Sequence, residues 1–286
     1  MEARCRSTKE GKSKMIQLED FHEDILGKAM RGLGIGKNEM ALRINTDRSL
    51  IESVLSGKVD EELIRLMALQ LLLDPEKLIC SAHKEWIPST QSICRLKQFN
   101  LSYGEMMVNS YVLWDDDSLN AWIFDTGPDH RPICDFLKTY SLRVDAIFLT
   151  HTHGDHIACL GELLKETGNP SVYVHATECF GDCTGIEEGF THSLSSLSLR
   201  SFHTFGHSVG GMTYLIEGLN QPIAIVGDAV FAGSMGGGMI SYSDALRTNR
   251  EKIMTLPNET ILCPGHGPLS KVEWEKKYNP FFPEFG

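Results

Sequence analysis

The apolar run Ile147-Phe148-Leu149 stops at His151, His153, Asp155 and His156, which places four metal-binding side chains within six residues. Side chains alternate along an extended strand end, so His151 and His153 can point to one side and grip one cation. Gly154 then allows a sharp turn into a helix, which brings Asp155 and His156 beside the first pair. The Asp155 carboxylate also falls near a helix N-terminus, where the dipole favours negative charge. Two adjacent metal sites follow from this arrangement. A His-x-His pair alone is equally compatible with histidines that cap a strand or hydrogen-bond in a core; the density of the whole run favours metal.

Three later segments carry one further candidate each. His207 lies in Thr204-Phe205-Gly206-His207-Ser208-Val209-Gly210-Gly211, Asp228 in Ile225-Val226-Gly227-Asp228-Ala229-Val230-Phe231, and His266 in Cys263-Pro264-Gly265-His266-Gly267-Pro268. Each follows or ends a β-prone apolar stretch and is flanked by glycine, which lets a strand-end loop approach an ion closely. In this order the four segments resemble the HxHxDH, TPGHTPG, GDxLF and PGHG elements of the metallo-β-lactamase superfamily, from about Ser92 to the C-terminus.

The resemblance implies an α/β fold, a four-layer αββα sandwich with the site along one edge of two sheets. It implies that His151, His153 and His207 bind a first metal, that Asp155, His156 and His266 bind a second, and that Asp228 bridges them. Two divalent ions are expected, zinc first, with iron or manganese also suited to imidazole and carboxylate ligands. A shared water brought to a near-neutral pKa would attack an ester, thioester or lactone carbonyl, and Asp155 would accept a hydrogen bond from it. Asp155 and Asp228 are thus the expected catalytic residues.

Within the superfamily the chain resembles the glyoxalase II branch, on Gly227-Asp228-Ala229-Val230-Phe231-Ala232-Gly233-Ser234, the Leu256-Pro257-Asn258-Glu259-Thr260 turn and the ending Glu273-Trp274-Glu275-Lys276-Lys277-Tyr278. A hydroxyacylglutathione hydrolase-like thioesterase is expected, and a bridging Asp228 argues against antibiotic hydrolysis. The chain ends soon after His266, without the helical domain that holds glutathione in full-length glyoxalase II, so glutathione need not be part of the substrate. By family position Tyr111 and Ser234 lie near the metals and could contact substrate. Asp125, in Asp125-Thr126-Gly127-Pro128, could orient a metal ligand from behind or merely form a turn. Met235-Gly236-Gly237-Gly238-Met239 has no following Lys-Ser/Thr and is expected as a mobile lid, not a phosphate loop. Two alternatives stay open: a mononuclear iron persulfide dioxygenase, and a regulator whose metal domain controls DNA binding.

The elements that must position these residues form two parts. Residues 15–87 show short amphipathic helices punctuated by glycine: Phe21, Ile25, Leu26 and Met30; then Met40, Ala41 and Ile44; then Leu50 to Leu55, ending at Gly57; then Leu63 to Leu73, stopped before Pro75. This small all-α domain is read as a bundle of its own. It resembles the helix-turn-helix domain of repressor-like regulators, which implies a helix near Arg48 aimed at DNA, yet Asp47 and Glu52 bracket that arginine. Packing, dimerisation or covering the substrate is the favoured role. Residues 1–14 are expected as a mobile tail, Ile87-Pro88-Ser89-Thr90 as a linker, and 92–286 as the catalytic domain. There, Asn109–Trp114 and Ala121–Asp125 form a hairpin, Ile133–Tyr140 a helix, and Ser171–His175, Leu197–Thr204, Met212–Glu217 and Ile223–Gly227 strands.

A net charge of −11 argues against a broad grip on nucleic acid or anionic lipid. Nucleic acid would be met, if at all, through the helical part, and a homodimer is open. The expected partner is a small acyl thioester or ester, with no membrane contact. No apolar run matches a membrane span or a secretory signal, so a cytoplasmic protein with free cysteines is expected. The histidines outside the ligand set, His22, His83, His130, His175, His192 and His203, are expected to be structural or on the surface.

Overall fold

The computed structural model describes residues 15–89 and 92–285; the tail expected for 1–14, and Thr90 of the expected linker, lie outside them. Five helices come first: α1 (His22–Leu33), α2 (Lys37–Arg43), α3 (Arg48–Val54), α4 (Glu61–Gln70) and α5 (Pro75–Ala82). α1 buries Ile25, Leu26, Ala29 and Met30 on one face and ends at Gly34, whose φ of 68° is the left-handed cap that glycine allows. α4 starts on Asp60, whose carboxylate accepts from the Leu63 N–H. Pro75 does more than stop α4. It opens α5 at a position needing no backbone donor, and Asp74 caps the helix by accepting from the N–H groups of Glu76 and Lys77. The Arg48 guanidinium bonds Glu52 at 3.0 Å and Asn38 at 3.2 Å, so its charge is balanced on its own surface.

The first sheet runs in the order β1 (Leu96–Tyr103), β2 (Met106–Trp114), β3 (Asn120–Phe124), β4 (Arg143–Phe148), β5 (Ser171–His175), β6 (Thr184–Ile186). β1 to β3 are antiparallel and β3 to β6 parallel, with α6 (Arg131–Tyr140) before β4, and α7 (Gly154–Ile157) and α8 (Leu160–Thr167) after it. The second sheet takes β7 (Thr191–Leu194), β8 (Leu197–His203), β9 (Met212–Glu217), β10 (Ile223–Gly227), β11 (Ile261–Pro264) and β12 (Ser270–Lys271) in sequential order. α9 (Tyr242–Thr248) lies between β10 and β11, and α10 (Val272–Tyr278) follows β12.

Strand alternation builds the four layers. Leu113, Trp122, Phe124 and Phe148 point between the sheets and meet Tyr214, Ile216, Ile223 and Ile225. Their neighbours Val112, Ile123, Ile147 and Leu149 face outward and pack on Ile133 and Leu137 of α6 and on Leu160 and Leu163 of α8. On the other outer face, Ala224 and Val226 of β10 join one apolar cluster with Ile25, Leu26, Ile51, Ile64 and Met67 of the N-terminal helices. Those helices therefore share their core with the second sheet. Their amphipathic faces are as expected, but the apolar stripe of a short helix needs a large partner, and the helices that cover the second sheet help to supply it, with α1 against α9 and α5 against α10.

Among the described residues no helix is long and apolar enough to cross a membrane. Six described cysteines are free, while Cys94 is disulfide-bonded, which corrects the expectation of free thiols at that position.

Candidate metal centre

β4 delivers the first candidates. Past Phe148, the Thr150 N–H donates to Asp125 Oδ1 at 2.7 Å and the Thr150 carbonyl accepts from Met212 N–H at 2.8 Å, so the loop is pinned to both sheets before His151 begins. His207 comes from the β8–β9 loop, Asp228 from the residue after β10 and His266 from the loop after β11. All four segments thus meet at one end of the sheets.

The structure brings the seven expected ligands into two groups, each with atoms within 4.8 Å of one another: His151, His153, His207 and Asp228, and Asp155, His156 and His266. His153 Nδ1 lies 3.0 Å from both His151 Nε2 and His207 Nε2. Asp155 Oδ2 lies 3.5 Å from His156 Nε2 and 3.3 Å from His266 Nε2. Asp228 touches both groups: Oδ2 is 3.3 Å from His207 Nε2 and 3.5 Å from His266 Nε2, and Oδ1 is 3.3 Å from His156 Nε2. His153 is the solvent-facing member, so the cluster opens on its side.

The nitrogens facing away from the cluster are held in turn. His156 Nδ1 lies 2.9 Å from Asp125 Oδ2, and His151 Nδ1 lies 3.0 Å from Thr150 Oγ1, which donates to the same Asp125 oxygen at 2.7 Å. His266 Nδ1 donates to the Met107 carbonyl at 2.6 Å and His207 Nδ1 to the Gly237 carbonyl at 2.9 Å. Protons held on these nitrogens leave the Nε2 lone pairs turned inward, the tautomer a metal requires. Asp125 sits in the left-handed region at φ 53°, a rare backbone state kept by its three hydrogen-bonded neighbours. The chain also closes in tightly: a Cβ on Gly265 would lie 2.1 Å from Asp228 Oδ1 and 2.6 Å from His156 Cε1.

The charges suit a cation. Burial and the neighbouring histidines hold His151 well below its ordinary range, so it offers a neutral donor. Burial also opposes charge on His156 and His266, but Asp228 overcomes it, with Asp125 helping at His156 and Asp155 at His266, and they rise to about 10 and about 11. The field that would keep protons on those rings is one that binds positive charge. His156 Nε2 and Asp228 Oδ1 are buried without a hydrogen-bond partner, an arrangement costly without something to coordinate. Nitrogen and carboxylate donors in this number fit a divalent metal.

Two residues expected to contact substrate are buried. The Tyr111 side chain is buried and its hydroxyl donates to the Pro264 carbonyl at 2.7 Å, bracing the loop that carries His266. Ser234 is fully buried, and its carbonyl accepts from Asn279 Nδ2 at 2.7 Å. The glycine-rich loop is not a free lid. Gly236 is buried where a Cβ would lie 1.9 Å from the Asp228 carbonyl oxygen, Gly237 orients His207, and a Cβ on Gly238 would lie 2.4 Å from Tyr242 Cα. Its most exposed residues are at the tip, Met239 and the following Ile240.

Sequence reasoning missed two bracing residues. Asn109 donates from Nδ2 to the carbonyls of Pro264 and Gly267 at 2.9 and 2.8 Å. Glu178 accepts from the N–H and hydroxyl of Thr152 at 2.8 and 2.9 Å and from the Gly210 N–H at 2.8 Å, tying the loop of His151 and His153 to that of His207. The signal for Glu178 was weak: a single acid just past a strand. Of the remaining histidines, His175 stacks on His203 with centroids 4.0 Å apart, outside both groups.

The family model for the metallo-beta-lactamase superfamily matches residues 103–182. A probable metallo-hydrolase, YqgX, of Bacillus subtilis is 32% identical over 216 residues, covering 66% of this chain and 99% of that protein. A hydroxyacylglutathione hydrolase of Pectobacterium carotovorum is 32% identical over 169 residues, covering 58% of this chain and 65% of that protein. Among solved structures, the BLEG-1 B3 metallo-beta-lactamase is similar with a TM-score of 0.55 at 29% identity, over 65% of this chain and 99% of that one.

Proposed function

The chain belongs to the metallo-β-lactamase superfamily, and on that premise we propose that it is a dinuclear metal-dependent hydrolase of thioester or ester carbonyls, of the hydroxyacyl-thioester type. The observation that carries this reading is the convergence of seven donor side chains in two groups that share Asp228. His151, His153 and His207 would hold one ion, Asp155, His156 and His266 the other, with zinc the first choice. Two ions so held would polarise a carbonyl and bring a shared water to a near-neutral pKa.

The protein's own groups do the rest. Burial resists ionisation of Asp155, but His266 and His156 beside it keep its carboxyl below the usual range. It is therefore an acceptor at neutral pH, placed to take a hydrogen bond from attacking water. Asp125, Thr150, Met107 and Gly237 hold the imidazoles so that no reorganisation is needed during the reaction. The relation to a hydroxyacylglutathione hydrolase supports a thioester as the first substrate to try.

The test is elemental analysis of purified protein, with His151→Ala and Asp228→Ala beside it, followed by a panel of thioesters, esters, lactones and a chromogenic β-lactam. About two ions per chain, reduced in both variants, and thioester cleavage are expected. One iron per chain with oxygen uptake on glutathione persulfide would replace the reading with a dioxygenase. No metal under replete conditions would end it.

A further inference from the structure

The N-terminal segment reaches the candidate centre from the side of His266. Gly267, next in the chain, faces residues 17–19: a Cβ built there would lie 3.4 Å from Glu19 N, 3.6 Å from the Gln17 carbonyl oxygen and 3.7 Å from Glu19 Cβ. Nine residues on, in α1, Lys28 donates to the Met235 carbonyl at 2.9 Å and lies 4.8 Å over the Phe231 ring, which packs edge-on to His266 with centroids 5.5 Å apart. The segment from Gln17 to Lys28 is thus continuous with the flank of the second ligand group.

The charges on this flank do not cancel. Lys28 is paired with Asp20, both largely buried. Glu19, half-buried, has neither a hydrogen bond nor an ion pair among the described residues. Burial holds its carboxyl above the ordinary range, and the close approach of its backbone to Gly267 sets it beside the residue that follows His266. A carboxylate left without a partner on the His266 flank of the centre discriminates between cationic and anionic groups that reach that flank.

We infer that Gln17 to Lys28 form one wall of the substrate site and that Glu19 sets its charge preference, favouring acyl substrates with an ammonium group near the scissile carbonyl over those with a carboxylate. This rests on the metallohydrolase reading and assigns the helical part a share in specificity. Glu19 touches no ligand atom in this scheme. It acts on the part of the substrate beyond the carbonyl.

The test uses the metal-loaded full chain and three hydroxamates of similar length, titrated by calorimetry: butyrohydroxamate, γ-aminobutyrohydroxamate and succinic acid monohydroxamate. Hydroxamates chelate metal through the carbonyl end, so binding is read without catalysis. The parent protein is expected to bind the amino compound roughly tenfold more tightly than the carboxylate one, the scale of one half-screened charge pair. Glu19→Gln should bring that ratio near unity and Glu19→Lys should invert it. Equal binding of all three by the parent, or an unchanged ratio in Glu19→Gln, overturns the Glu19 assignment and leaves the metal reading standing. Binding of none overturns both.

Discussion

Asp125 shows how much one carboxylate does at this centre. It accepts from the Thr150 N–H and hydroxyl and meets His156 Nδ1, so it fixes the start of the ligand loop and the tautomer of one ligand together. Asp125→Ala should therefore lower affinity for the ion at Asp155, His156 and His266 by about 10- to 100-fold, the usual effect of removing a group behind a metal-bound histidine. Competition against a chelator of known affinity measures this, and unchanged affinity would reduce Asp125 to a turn residue. The two clusters of candidate donors were legible because histidine and aspartate beside glycine announce their chemistry. The carbonyls of Met107 and Gly237 were not, because every residue has one and only the folded chain selects which is used. Tyr111 shows the converse: a hydroxyl reads as reactive in a sequence, while here it satisfies the Pro264 carbonyl inside the core.

Loops and helix ends decide how firmly the groups are held. Glu178 ties the loop after β4 to the β8–β9 loop by three hydrogen bonds. Glu178→Ala should weaken the ion at His151, His153 and His207 more than its neighbour, seen as stepwise loss of cobalt absorption bands during chelation; simultaneous loss would show that the two loops do not depend on the clamp. A second acid, Glu275 in α10, is fully buried and accepts from Ser270, Asn279 and the Gly233 N–H. Burial pushes its carboxyl up to about 7 against those bonds. A raised carboxyl holds its proton more tightly folded than unfolded, so its contribution is full below about 4.5 and is lost as pH rises through about 7. The loss is on the order of 3 kcal/mol. With metal chelated in both proteins, the urea midpoint of Glu275→Gln should gain on the parent between pH 5 and pH 8; parallel curves would refute the assignment. At this scale β9 and β10 were legible to the residue because each is a short β-prone run bounded by chain breakers, Gly211 and Gly218 around β9, and Pro222 before β10 with Gly227 at its end. β1 was not, since Lys97, Gln98, Asn100 and Ser102 dilute its apolar positions, nor was α5, whose opening proline was read only as a stop.

The whole molecule behaves as one body if its core does. Helical spacing in residues 15–87 declared that each short helix buries a face, but a stripe cannot name its partner, and the partner is the apolar layer over the second sheet, with α9 and α10 in it. Polar ties reinforce the junction: Lys77 Nζ donates to the carbonyls of Lys276 and Phe282, each at 2.8 Å, the Asp74 N–H donates to the Pro280 carbonyl at 2.9 Å, and Trp86 stacks on Tyr278 with centroids 4.5 Å apart. Burial opposes the charge on Lys77 and the two carbonyls offset part of that cost, so these ties depend on the apolar contact that holds the helices in place. Leu26, fully buried in that shared core, is the place to cut it. Leu26→Ala should cost about 2–5 kcal/mol. Because the same side chain supports helices and sheet alike, the loss should appear as one calorimetric transition shifted downward, with metal release coinciding with it. A separate low-temperature transition that leaves the metal in place would instead give the helices a core of their own, and with it the freedom to act apart from the site.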